Sequence, residues 1–183
     1  MTTQQYITFG RRTALISFLL GTIILGIYLL TFSFELLFIG YGFIIIIGLI
    51  NLKVFIDLLI AINNDKKAKK KLLKTCGQML LNIPIMLLYC WITTIVMNTA
   101  QVTFTNTTKT NLTDIEITGC ETKLIKNLDK EKSKTVWIKI KRDCHININY
   151  LIDSQKKEEI VIGYLCENMG QRLNYKIGNQ NLN

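Results

Sequence analysis

Residues 13–52 carry a single charged side chain, Glu35. As one helix this stretch would run about 60 Å at ~1.5 Å per residue. A bilayer's hydrocarbon core is only about 30 Å thick, so the stretch predicts two passes. Its natural division is Thr31-Phe32-Ser33-Phe34-Glu35, which gives spans at 13–30 and 36–55. A third apolar run covers 77–97. Lipid offers the backbone no hydrogen-bond partners, so each span is expected to be helical.

The charges predict an orientation. Arg11 and Arg12 precede the first span, and Lys66, Lys67, Lys69, Lys70, Lys71 and Lys74 lie between the second and third. Basic flanks stay in the cytoplasm. Two crossings separate the clusters, so one orientation satisfies both. The expected organisation is a cytoplasmic N-terminus (1–12), a three-helix anchor (13–99) with a cytoplasmic Lys-rich loop (63–75), an extracytoplasmic domain (100–178) and a tail (179–183). No Ala-x-Ala site follows the first span, so it reads as a retained helix rather than a signal peptide. The residues after the Arg pair, Thr13 and Ala14, fit a twin-arginine signal poorly.

The formal net charge of +9 sits mainly beside the apolar runs. The lysines have no interleaved aromatic residues, which argues against nucleic acid; contact with anionic lipid head groups at their leaflet is expected as a consequence of topology more than as a dedicated activity. The Ile-, Lys- and Asn-rich composition is of a kind that low-GC bacterial genomes encode, so a bacterial cytoplasmic membrane is the expected location.

Polar residues inside the spans have two readings. Lys53 and Asp57, one turn apart, and Asn82 would line a path in a small transport or channel component. Three spans make a poor pore, so that reading requires oligomerisation. The plainer reading has Lys53 snorkelling to the head groups, with 54–62 continuing as an interfacial amphipathic helix. Asn82 then bonds a neighbouring helix, Gln78 sits near a span end, and Pro84, the sole proline, kinks the third helix. Ser17 and Gly21 form a small-xxx-small pair that permits close helix contact.

Beyond residue 100 the pattern changes to period two: Val102/Phe104, Ile115/Ile117, Val136/Ile138/Ile140, Ile146/Ile148/Tyr150, Ile160/Ile162/Tyr164 and Leu173/Tyr175/Ile177. Turn-like stretches separate these sets, including 129–134, 153–157 and 167–170. Six or seven short strands predict an all-β domain, a small antiparallel immunoglobulin-like sandwich.

Cys76 and Cys90 belong to the third helix and its flank, and Cys120, Cys144 and Cys166 to the outer domain. Strand parity turns Cys144 and Cys166 inward, so Cys144–Cys166 is the expected disulfide if one forms. Cys144-His145 suggests a nucleophile–base pair, but neighbours on a regular strand face opposite ways. With one His and no Cys-x-x-Cys, a zinc site lacks its pattern, and no cofactor or other metal is implied. Asn106-Thr-Thr and Asn111-Leu-Thr match the glycosylation sequon, for which chance in an Asn/Thr-rich loop is the simpler reading. No catalytic motif is present, and a thiol-dependent enzyme using Cys120 or Cys166 is the remaining catalytic reading. The expectation is a non-catalytic multi-pass protein whose β-domain binds a protein partner, as an accessory subunit of a membrane complex.

Overall fold

The computed structural model describes residues 2–152 and 155–178. Three of its helical segments are long and apolar enough to cross a membrane: Thr3–Thr31, Glu35–Asn64 and Lys69–Met97. They are followed by a β-rich region of two sheets. The chain divides into two compact units between Thr93 and Thr94.

Helix α1 (Thr3–Thr31) starts ten residues before the apolar run because its start is encoded locally. The Thr2 side chain accepts the Gln5 N–H at 3.3 Å, and the Gln5 side chain accepts the Thr2 N–H at 2.7 Å. This reciprocal capping box satisfies donors that a helix start otherwise leaves open. Phe32, in left-handed conformation (φ 55°), ends α1 with its N–H on the Tyr28 carbonyl. The expected break at 31–35 is therefore where the helix stops. Helix α2 (Glu35–Asn64) opens with an acid, which suits the positive end of the helix dipole. It runs unbroken through Lys53 and Asp57.

The Lys-rich loop is shorter than expected, because α2 persists to Asn64 and α3 (Lys69–Leu80) begins within the lysines. Asp65 shapes the turn: its Oδ1 accepts the N–H groups of Lys67 and Ala68, both at 3.1 Å, and its Oδ2 accepts the Thr3 hydroxyl at 2.9 Å. These bonds, the Thr3 hydroxyl first, hold the Asp65 carboxyl below its usual range. The third segment is interrupted at Leu81, between α3 and α4 (Asn82–Met97). Pro84 supplies the cause, since it has no N–H for the Leu80 carbonyl and its ring crowds that carbonyl.

The helical unit packs around Ile7 and Ala14 of α1, Val54, Leu58 and Ala61 of α2, and Leu72, Cys76 and Met79 of α3. Gly10 lies at the centre of this contact. A Cβ there would sit 2.9 Å from both Leu58 Cδ1 and Thr75 Cγ2.

In the second unit, β1 (Thr99–Asn106), β4 (Ser133–Lys139) and β7 (Arg172–Ile177) form a sheet of order β4-β1-β7. The strands β2 (Leu112–Gly119), β3 (Lys123–Leu128), β5 (Cys144–Ile152) and β6 (Gln155–Leu165) form a sheet of order β3-β2-β5-β6. One apolar cluster is shared by both: Val102, Phe104, Ile138 and Ile177 from the first sheet meet Ile115, Ile117, Ile146, Ile148 and Leu165 from the second.

Three expectations are corrected here. The domain is not wholly antiparallel, because β1 and β7 run parallel. Gly170 N–H bonds Met97 O at 2.6 Å and Gln101 N–H bonds Gln171 O at 2.8 Å, so β7 starts beside the start of β1. The strand order also departs from the immunoglobulin constant-type plan, which groups its first, second, fourth and fifth strands in one sheet. Here the first and fourth join the seventh. Finally, β6 does not keep one alternating inward face. Leu165 is buried and both Val161 and Ile162 pack on the core, the latter as expected, while Ile160 and Tyr164 are 67% and 61% exposed. Register irregularities in the β5–β6 pair, around Cys144, Ile146 and Asn147, change the phase that simple alternation assumes. The expected turn residues Asp153 and Ser154, and the tail 179–183, lie outside the described residues.

Candidate functional site

Inside the helical unit three side-chain contacts among the described residues join neighbouring helices, alongside bonds within single helices. Asn82 of α4 donates to the Ala14 carbonyl of α1 at 3.0 Å. Asn51 of α2 donates to Ser17 Oγ of α1 at 2.8 Å and to Ile47 O at 2.8 Å, and Ser17 donates to Thr13 O at 2.7 Å. Thr22 and Tyr89 hydroxyls meet at 2.6 Å. Interhelical bonds of this kind are worth roughly 1 kcal/mol each in lipid. The α1 side of the contact is a stripe of small residues, Gly10, Ala14, Ser17 and Gly21. The first three are buried, and the Gly21 site lies 3.6 Å from Phe43 and 3.7 Å from Tyr89. Sequence reasoning found Ser17, Gly21 and Asn82 but missed Asn51, which sits in an apolar run with nothing to flag a partner 34 positions away.

Lys53 Nζ lies 3.4 Å from Asp57 Oδ2, with the two side chains 80% and 37% exposed. It is an outward-facing pair, of a kind that contributes little to stability. Arg11, Arg12, Lys66, Lys67, Lys69, Lys70, Lys71 and Lys74 are all exposed.

The disulfide joins Cys120 to Cys144, with Cα atoms 5.0 Å apart, and Cys166 is a free thiol. This corrects the expected Cys144–Cys166 bond. Cys144 is in register with Leu165, whose buried side chain shares its face, so Cys166 follows on the other side. On the opposite edge of β5, Gly119 pairs with Ile146, and the Cys120 N–H reaches His145 O at 3.0 Å. Gly119 permits this approach. Its φ is +109°, and a Cβ there would lie 1.9 Å from His145 O. With its sulfur bonded to Cys120, Cys144 has no thiol to pair with His145, which is exposed. Among the described residues no group of three or more His, Cys, Asp or Glu side chains is arranged to hold a metal ion.

Asn106 is fully buried and serves as a loop post. Its Nδ2 donates to Thr110 O and Leu128 O, both at 2.9 Å, and its Oδ1 accepts the Thr108 N–H and hydroxyl. That amide is inaccessible to a glycan in the folded chain. Asn111 is exposed, with its Oδ1 on the Lys130 N–H at 2.9 Å.

A second cluster, missed in the sequence, centres on Glu159 of β6. Its carboxylate accepts the hydroxyl of Tyr150 (β5), the hydroxyl of Tyr175 (β7) at 2.8 Å and the Gly178 N–H at 3.2 Å. It therefore ties β5 and β6 of one sheet to β7 of the other. Burial, and then the neighbouring carboxylate, raise both tyrosine pKa values. Beyond it, the outward face of β6 presents Ile160 and Tyr164, with the Tyr164 hydroxyl on Asp143 Oδ2 at 2.9 Å. β6 ends the sheet order, and its outer edge makes no backbone hydrogen bond among the described residues.

No known protein family, curated protein or solved structure matches the chain.

Proposed function

We propose that this chain is a non-catalytic, membrane-anchored interaction protein, with its two-sheet sandwich outside the cytoplasm and its N-terminus inside. The helices would cross the bilayer three times, in the orientation that places Arg11, Arg12 and the Lys cluster together in the cytoplasm. The Cys120–Cys144 disulfide supports an oxidising compartment for the β-domain. A bacterial cytoplasmic membrane remains the proposed setting.

The observation that carries the interaction reading is the exposed edge of β6. Residues 160–165 (Ile-Val-Ile-Gly-Tyr-Leu) hold no charge and no proline. Charges occupy the first half of the strand (156–159) and its pairing with β5 is irregular, so the uncharged edge is confined to 160–165; an uncharged open edge invites pairing with another strand. A protein partner in the membrane or envelope, with the chain as its accessory subunit, fits that edge. The transport reading draws less support, because Asn82 and Asn51 are engaged in interhelical bonds and the Lys53–Asp57 pair faces outward. The thiol-enzyme reading is left with Cys166 alone in the β-domain.

A photo-crosslinking amino acid at position 160 or 164, introduced in the full chain in native membranes, tests the proposal. The expected result is a discrete adduct from these positions and none from position 130. A chain that extracts as a strict monomer and crosslinks to nothing at 160 and 164 would refute it.

A further inference from the structure

We propose that the basic shoulder of the helical unit, formed by α3 and the turn before it, selectively holds anionic lipid head groups. This goes beyond protein interaction and rests on the helical unit alone. Six lysines fall within residues 66–74, and no acidic residue follows until Asp114. The helical unit contains three acids, Glu35, Asp57 and Asp65. Asp57 lies against Lys53, and Asp65 is engaged by Thr3 and by the N–H groups of Lys67 and Ala68. None of the six lysines has a salt-bridge partner among the described residues. Within the helical unit Asp65 is the one carboxylate beside the cluster, acting on Lys67, so six lysine charges face a single negative one.

The local fold keeps that charge outward. α3 buries Leu72, Thr75, Cys76 and Met79 against α1 and α2, while Lys66, Lys67, Lys69, Lys70, Lys71 and Lys74 are exposed. Apolar Leu73 and Leu80 are exposed on the same helix. A helix that combines exposed leucines with lysines, and continues into the apolar residues 82–97, suits the boundary between hydrocarbon and head groups. The complementary ligand is a lipid phosphodiester with net negative charge. A zwitterionic head group offers no net attraction, and six lysines at the surface give each anionic lipid a cumulative one.

The test uses the full chain in non-ionic detergent with equal amounts of phosphatidylglycerol and phosphatidylcholine, the retained lipids being counted by native mass spectrometry. The wild type is expected to retain phosphatidylglycerol over phosphatidylcholine by roughly tenfold. The excess should fall towards the input ratio as salt rises to about 0.5 M, where screening shortens the reach of charge to a few ångströms. Replacing all six lysines with Gln should abolish it, while replacing them with Arg should preserve it. Retention at the input ratio by the wild type would overturn the proposal, as would an unchanged excess in high salt. A Gln variant that keeps the full excess would also overturn it. The salt series needs no variant, so a Gln chain that fails to fold does not spare the proposal.

Discussion

Glu159 accepts hydrogen bonds from two phenols and one backbone N–H, and it does so at the seam where β6 meets β7. Charge-assisted bonds of this kind are worth more than neutral ones. Glu159→Gln retains the shape but loses the charge and one acceptor oxygen. It is expected to cost about 1–2 kcal/mol, read as a lower urea midpoint for the β-sheet signal of the full chain in detergent. The tyrosines also set an alkaline limit. Their folded pKa values lie above the ordinary 10.0, so the neutral phenol is favoured in the native state. That contribution is fully present below about pH 10 and is lost as pH rises through the folded values. The urea midpoint should therefore hold from pH 8 to 10 and decline above it. A Tyr150→Phe, Tyr175→Phe chain should show a shallower decline. An equal slope in both chains would show that these phenols do not set the limit.

At the scale of elements, the helical unit depends on how closely α1 approaches its neighbours. Gly10→Val would drive methyl groups into Leu58 and Thr75 and should cost about 1–3 kcal/mol by overpacking. Gly48→Val, in α2 with nothing within 4 Å of its Cβ position, should cost nothing. Thermal loss of helical circular dichroism in detergent distinguishes them, and equal behaviour would contradict the packing. Much of the element list was legible in the sequence. Forty nearly uncharged residues leave few options, and strands such as 146–150 declare themselves by strict alternation. β3 was missed because its buried residues, Ile125 and Leu128, are three apart. In β6 Ile162 faces the core as expected, but irregular pairing turns Ile160 and Tyr164 outward, and the expected disulfide rested on the same unbroken alternation. Asn51–Ser17 and Glu159–Tyr175 join residues that local spacing cannot bring together.

At the scale of the whole molecule, the chain joins two unlike units. One exposes Leu, Ile and Phe along its helices and carries exposed lysines near one end of α3. The other closes two sheets on an apolar core and carries a disulfide. The orientation rests on charge, and the interaction and lipid readings both build on a chain that spans the membrane. Lys70 and Lys130, both exposed, report on the two sides. Each is changed to Cys in a Cys166→Ser background and challenged with a membrane-impermeant maleimide. Position 130 is expected to react in intact cells and position 70 only after permeabilisation. Labelling of position 70 in intact cells, with position 130 protected, would contradict it.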